Sequence, residues 1–150
     1  MSIEIKTASI RQLDMLHEIE KVCFKEEAFS RQQIANLLGD YNSISLVAIE
    51  GGRVVGFTIG AIYVEKKALG GHVLTIDVLP QYQRKGVGLR LMQAIERIFV
   101  EKDVKTFHLE VREDNLKALE LYEKLGYEKT GRLKNYYGRA DGLCLRKSLA

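Results

Sequence analysis

"HVLTIDVLPQYQRKGVGLRLMQAI", residues His72 to Ile95, decides the fold of this 150-residue chain. Its first part, His72 to Leu79, is an apolar run of strand character. Pro80, the only proline, follows and helps to end the strand, because it has no N–H to give to a ladder. Leu89, Met92, Ile95 and Phe99 then recur at helical spacing and predict a helix over Gly88 to Lys102. Between strand and helix stand Gly86 and Gly88, with Arg84, Lys85 and Arg90 to supply positive charge. The first N–H groups of a helix lack intrahelical acceptors, and the helix dipole reinforces them, so such a junction can hold an anion. Glycine lets a phosphate approach the backbone closely. The pattern fits a phosphate cradle and equally a plain turn with solubilising charges, since short glycine motifs match often by chance. A Walker A loop would need Gly-Lys-Ser/Thr, and a dinucleotide fingerprint would need glycine where Leu91 stands.

Outward from this junction the chain alternates strands and helices. Ile3 to Ala8 reads as a strand, and Leu13, Leu16, Ile19 and Cys23 mark a helix over Ile10 to Phe24. Ser30 with Gln33 fits a capping box that starts a helix reaching about Leu38. "ISLVAIE" and "VVGFTIGAIYVE" flank "GGR", an antiparallel hairpin. After the central helix come a strand Thr106–Arg112, a helix Asn115–Leu125, a strand Tyr127–Leu133, a polar loop and a last strand through Leu143 to Leu149. The order β-α-α-β-β-β-α-β-α-β-β implies an α/β fold, a central mixed sheet flanked by about four helices. No linker, repeat or low-complexity tract divides residues 1–150, so one domain is expected.

Composition narrows the class. A hydrophobic fraction of 46% and a charged fraction of 29% are those of a globular protein with a real core. The net charge of +3 is far below that of a dedicated nucleic-acid binder, and no direct nucleic-acid role is expected. No signal peptide or apolar run of membrane length occurs, which makes a cytoplasmic protein with no membrane role the expectation. Cys23 and Cys144 read as core thiols of a reducing compartment, and His17, His72 and His108 have no metal-ligand spacing, so no metal is expected.

Three blocks carry a more specific signal. "TIDVLPQYQRKGVGLRLM", with its Gln83-x-x-Gly86-x-Gly88 loop, precedes "FHLEVREDNLKALELYEKLGY" and then "RLKNYYGRADG". In this order and spacing, over about Val73 to Tyr137, they resemble the GNAT acetyltransferase superfamily. Within it they are similar to the N-terminal protein acetyltransferases, both the bacterial ribosomal-protein alanine acetyltransferases and the archaeal catalytic subunits. The N-terminal third matches more loosely, through its strand–helix–helix order and "CFKEEAFS", and lacks the Tyr-Pro element of many eukaryotic-type members.

The resemblance implies a GNAT fold and acetyl-CoA as cosubstrate. The pantetheine arm would pair with the splayed strand at Ile76, Asp77 and Val78, and the pyrophosphate with the amides from Arg84 and Lys85 through Gly86, Val87 and Gly88 to Leu89. Asn115 would touch the cofactor arm; by its own pattern it is a helix N-cap, and both roles can coexist. Glu110 alternates on the polar side of "FHLEVRED", where a solvated carboxylate is the plain reading; the resemblance makes it the general base. Tyr122 has the spacing of a core residue; the resemblance makes it the acid that protonates the leaving thiolate, close to the cofactor sulfur. Tyr136 and Tyr137 would grip the acceptor backbone, with Phe24 to Phe29 as the opposite wall of the groove.

The implied activity is acetylation of N-terminal α-amines of proteins or peptides by direct attack in a ternary complex. Ribosomal proteins or nascent chains are the implied partners, and an auxiliary ribosome-binding subunit is an open one. A GNAT acting on lysine or a small amine keeps the same fold and cofactor. An acyl-CoA sensor and a ribosome- or RNA-associated module are the non-enzymatic alternatives, although the aromatic and glycine signatures of RNA recognition are absent.

Overall fold

The computed structural model describes residues 2–149. Its elements follow the expected order. β1 (Glu4–Thr7) leads to a 3₁₀ turn at Ile10–Gln12 and then to α1 (Leu13–Phe24). The predicted single helix from Ile10 is thus divided, because Ser9 and Gln12 form a capping box on the short turn, with Ser9 N–H donating to Gln12 Oε1 at 2.8 Å. α2 (Arg31–Leu38) begins on the expected box: Gln33 N–H donates to Ser30 Oγ at 3.1 Å and Ser30 N–H to Gln33 Oε1 at 2.8 Å.

β2 (Ser43–Glu50) and β3 (Arg53–Glu65) form the hairpin over Gly51 and Gly52, both at positive φ, 56° and 79°. β3 turns again at Lys66 and Lys67 into β4 (Ala68–Val78), which starts four residues before the expected His72. Gly70 and Gly71 look like strand breakers, but each makes room for an aromatic ring. A Cβ on Gly70 would lie 2.4 Å from Tyr63 Cζ, and one on Gly71 2.8 Å from Phe99 Cε2.

α3 (Val87–Glu101), β5 (Thr106–Arg112) and α4 (Leu116–Lys124) match expectation to within a residue or so. β6 (Glu128–Tyr137) and β7 (Ala140–Ser148) differ in one respect: the segment read as a polar loop is a strand that continues to Tyr137, with the turn at Gly138 and Arg139. β6 is an edge strand exposed along most of its length, so its sequence has no buried side to alternate.

The sheet order is β1-β2-β3-β4-β5-β7-β6, and only β4 and β5 run parallel. Two cores cover its faces. Leu91, Met92, Ile95 and Phe99 of α3 and Tyr122 of α4 pack on one side with Val73, Phe107, Leu109 and Val111. Leu13, Leu16 and Ile19 of α1 and Ile34 of α2 pack on the other with Val47, Phe57 and Ile59. β4 and β5 pair only over Gly70–His72 and Thr106–His108, then part, although both strands continue. The register of β3 with β4 steps from Ile59↔Thr75 to Gly60↔Val73 and leaves Leu74 unpaired, a bulge where the strands begin to separate. A bulge bends its strand, which accounts for the opening of a wedge-shaped gap in the middle of the sheet. None of the described helices is long and apolar enough to cross a membrane.

Candidate active site

One wall of the gap is backbone. Leu79 N–H donates to Val55 O at 2.9 Å, so in this antiparallel register Val78 faces Gly56 without bonding it, and Ile76 stands the same way to Thr58. The peptide groups of Ile76 and Val78 therefore point away from β3, into the gap. Asp77 is placed differently. Its backbone turns toward β3, and its side chain, 1% exposed, sits on the α1 side, where Thr75 Oγ1 donates to its Oδ1 at 2.7 Å. Of the three residues expected along the pantetheine arm, Ile76 and Val78 face the gap and Asp77 supports them from behind.

At the end of β4 a 3₁₀ turn, Pro80–Tyr82, leads into the glycine loop. Gln83 Nε2 donates back to Val78 O at 3.0 Å, which closes the loop onto the strand. Gly86 caps α3 at φ 83°, a conformation that costs other residues about 1–2 kcal/mol. The first helical bond runs from Arg90 N–H to Gly86 O, so the N–H groups of Val87, Gly88 and Leu89 have no helical acceptor. Arg84 and Lys85 are exposed beside them. Arg90, expected to add charge here, instead donates its guanidinium to Ile3 O and ties α3 to the N-terminal segment. Gly88 serves a different end from Gly86: a Cβ there would meet Leu121 Cδ2 at 3.4 Å, so it sets the approach of α4. α4 brings in Asn115, which caps it by accepting from Ala118 N–H at 3.2 Å, and Tyr122, which is 4% exposed. Burial, then the nearby Asp77 and Tyr137, push the Tyr122 phenol well above its usual range, so it keeps its proton.

The other wall is side chain. On β5, Phe107, Leu109 and Val111 face the α3/α4 core, which turns His108, Glu110 and Arg112 to the opposite face. His72 is the register partner of His108 on β4, and the two rings stack at 4.2 Å. His72 Nε2 lies 2.7 Å from Glu110 Oε1. Burial raises the Glu110 carboxyl, but the His72 bond and the charges of both histidines outweigh it and hold the acid below its ordinary value. Glu110 is therefore ionised at neutral pH and can accept a proton. Arg112 bonds Asp114 and also Glu27, in the 3₁₀ turn Lys25–Glu27 between α1 and α2, so β5 and that turn are fastened together.

Tyr137 is half-buried at the end of β6, where burial pushes it up to about 12, helped by Tyr136 and Glu110. Tyr136 meets it edge-on at 4.9 Å and is 54% exposed. Asp141 shapes this end by accepting from Asn135 N–H at 2.9 Å and from Arg132 at 2.9 Å. Across the groove Phe24 is half-buried at the end of α1. Phe29 packs into the α1/α2 core, with its N–H on Glu20 Oε2 at 3.0 Å. Cys23 Sγ also donates to Val78 O, at 3.4 Å, and burial pushes its thiol up to about 12, so it is a poor nucleophile.

Sequence reasoning missed His72, whose role depends on a strand register rather than on spacing. The parallel pairing implied by the β4-α3-β5 crossover was the signal that could have found it.

The fold agrees with the comparisons. Residues 13–127 match the Acetyltransferase (GNAT) family, and the chain belongs to that family. It is 38% identical over 102 residues to the N-terminal acetyltransferase B complex catalytic subunit NAA20 of Arabidopsis thaliana, covering 67% of this chain and 59% of that protein. Over 147 residues it is 33% identical to an N-alpha-acetyltransferase of Sulfurisphaera tokodaii, covering 92% of this chain and 86% of that one. It is 36% identical over 99 residues to the ribosomal protein bS18-alanine N-acetyltransferase of Haemophilus influenzae, with 66% and 64% covered. The matched part thus spans less than two thirds of the Arabidopsis and Haemophilus proteins. Among solved structures, Ard1 from Thermoplasma volcanium superposes with a TM-score of 0.90 at 25% identity, over 100% of this chain and 99% of that one.

Proposed function

We propose that this chain transfers the acetyl group of acetyl-CoA to the N-terminal α-amine of proteins or peptides, by direct attack in a ternary complex. The observation that carries this reading is the gap itself. Unpaired strand backbone and helix N–H groups line one side, and an ionised carboxylate held by His72 lines the other. Acetyl-CoA would lie with its pyrophosphate on the Val87–Leu89 amides and its arm along Ile76 and Val78, which brings the thioester into the gap from the α3/α4 side. Asn115 stands where it could meet that arm.

The acceptor amine would enter from the opposite side, between Tyr136 and Tyr137 and the segment from Phe24 to Phe29. Glu110 takes a proton from the attacking amine, directly or through one water, and His72 orients its carboxylate. Nitrogen bonds to the carbonyl carbon, and the oxyanion that forms is stabilised by the Val78 N–H. The carbon–sulfur bond then breaks, and Tyr122 supplies the proton to the leaving thiolate. The high thiol of Cys23 argues for direct transfer over an acyl-enzyme.

An α-amine, with pKa near 7.7–8.0, suits a modest base better than a lysine amine near 10.4. The archaeal and Haemophilus relatives, by their names, acetylate α-amines and the alanine of bS18. Protein N-termini, including those of ribosomal proteins or nascent chains, are therefore the proposed acceptors here, in the cytoplasm. The Arabidopsis relative is named as the catalytic subunit of a complex, which supports an auxiliary subunit as a partner.

The test uses two peptides of one sequence and mass spectrometry. One has a blocked α-amine and a free internal lysine, and the other the reverse. Acetylation is expected on the free α-amine; faster reaction of the α-blocked peptide would move the enzyme to the lysine class.

A further inference from the structure

We propose that His72, His108 and Glu110 form a binding site for a divalent transition-metal cation of the zinc type, and that filling it silences the enzyme. The silencing half rests on the reading of Glu110 as the base; the binding half does not.

The placement follows from the strands. His72 and His108 are register partners at the last paired position of β4 and β5, and Glu110 follows His108 by two residues on the same face. One ligand atom from each of the three lies within 4.8 Å of the others. Two separations frame the set: His72 Nε2 to Glu110 Oε1 is 2.7 Å, and His108 Nε2 to Glu110 Oε2 is 3.9 Å. Zinc holds imidazole nitrogen at about 2.0–2.1 Å and carboxylate oxygen at about 2.0–2.2 Å, which sets ligand atoms of a tetrahedral site about 3.4 Å apart. The two separations straddle that value, and with the strands held still the rings of His72 and His108 would turn out of their stack, 4.2 Å apart and 18° from parallel, to aim both lone pairs at one ion. The three side chains are 27%, 26% and 19% exposed, open enough for an ion to enter from the acceptor groove.

The hydrogen bonds behind His108 prepare it as a ligand. Arg146 holds the Glu65 carboxylate at 3.0 Å, and Tyr63 Oη lies 3.3 Å from Glu65 Oε2 and 2.8 Å from His108 Nδ1. When the phenol gives its one proton to the carboxylate, it accepts from His108 Nδ1–H. In that tautomer the His108 Nε2 lone pair lies 3.9 Å from the Glu110 carboxylate, two acceptors with no proton between them. A cation satisfies both. Ligand histidines characteristically use their second nitrogen in this way. Two imidazoles and one carboxylate select zinc, cobalt, nickel or copper over magnesium or calcium. When the ion binds, His72 moves its proton to Nδ1, and the Glu110 lone pair that would take the amine proton is committed to the metal.

The test uses untagged protein and Co²⁺ as a spectroscopic probe. One Co²⁺ per chain is expected, with ligand-field bands of a low-coordinate site that Zn²⁺ abolishes and Mg²⁺ leaves in place. His108→Ala should lower Co²⁺ affinity at least tenfold and make the acetyl transfer it retains at least tenfold less sensitive to Zn²⁺. Glu110→Gln, read only by Co²⁺ binding, should lose affinity as well and serves if the alanine variant does not fold. Zn²⁺ inhibition of the wild type should reverse with EDTA. Absence of a one-to-one Co²⁺ spectrum, or equal affinity in wild type and both variants, overturns the site. Stoichiometric binding through His108 with turnover unchanged keeps the site and overturns Glu110 as the base.

Discussion

The two walls of the gap are made of different material. Toward α3 and α4 the gap-facing groups are main chain: the peptide edges of Ile76 and Val78, and the N–H groups at the start of α3. Toward α1 and β7 they are side chains drawn from far apart, His72 with Glu110 across 38 residues and Arg112 with Glu27 across 85. Main-chain donors exist as soon as a strand ends and a helix begins, whatever side chains surround them. A side-chain constellation exists only when two strands meet in the right register. On this reading the first wall binds and the second does the chemistry, with Tyr122 as the one reactive side chain on the binding wall.

The largest effects should therefore fall on turnover alone. Glu110→Gln keeps the shape and removes the base, and Tyr122→Phe keeps the ring and removes the proton donor. Each should lower kcat by roughly a hundredfold or more and leave acetyl-CoA affinity nearly unchanged. Steady-state kinetics with calorimetry on the same samples checks this, and a matching loss of affinity would erase the division between the walls.

Substitutions in the glycine loop should do the reverse. Gly86→Ala forces a Cβ into φ 83°, where nothing lies within 4 Å of it, so the cost is backbone strain of about 1–2 kcal/mol rather than a clash. Acetyl-CoA affinity should fall on the order of tenfold if that strain reshapes the loop, with kcat at saturation retained. Gly88→Ala meets Leu121 at 3.4 Å in a conformation any residue adopts, and should cost less. Equal losses in the two variants would show that both glycines act through space for the phosphate.

A second contrast lies between two carboxyl groups on the same face of the sheet. Glu110 has histidines for neighbours and is lowered. Asp77 is buried beside Glu20 and raised well above its ordinary 3.8, by burial first and then by the Glu20 charge. The consequences for stability have opposite sign. Asp77 contributes fully at low pH, and its contribution is lost as pH rises from about 4 through its folded pKa. Glu110 contributes above its unfolded pKa, and that is lost as pH falls through the folded one. Asp77→Asn mimics the protonated acid and removes the first dependence, so its Tm should gain on wild type by a few degrees between about pH 5 and pH 8. Glu110→Gln should lose on wild type at neutral pH and converge with it in acid. Parallel Tm profiles for wild type and Asp77→Asn would mean that Asp77 titrates normally.

What could be read from the sequence divides along the same line. The glycine loop, the cap at Ser30, the hairpin over Gly51 and Gly52 and the alternation of β5 are local, and each carries its pattern within a few residues. The first half of β4 was hidden because Gly70 and Gly71 are glycines for the sake of Tyr63 and Phe99, which lie elsewhere in the chain. The end of β6 was hidden because an edge strand has little to alternate. His72 was hidden by distance. Glu110 and Tyr122 came from resemblance, since a strand carboxylate and a core tyrosine look ordinary on their own.

The smallest expected effect tests a residue with two candidate roles. Asn115 caps α4 through Ala118 N–H, and it lies on the side where the cofactor arm would run. Asn115→Ala removes both the cap and the amide, and should cost about 1 kcal/mol, a few degrees of Tm. Asn115→Ser restores a cap of similar strength without the amide, so its Tm should return close to wild type. If the amide also touches acetyl-CoA, the serine variant will still bind cofactor a few-fold more weakly, as the alanine variant does. Calorimetry beside thermal melts separates the two roles, because a serine variant that recovers affinity together with Tm leaves Asn115 as a helix cap and nothing more.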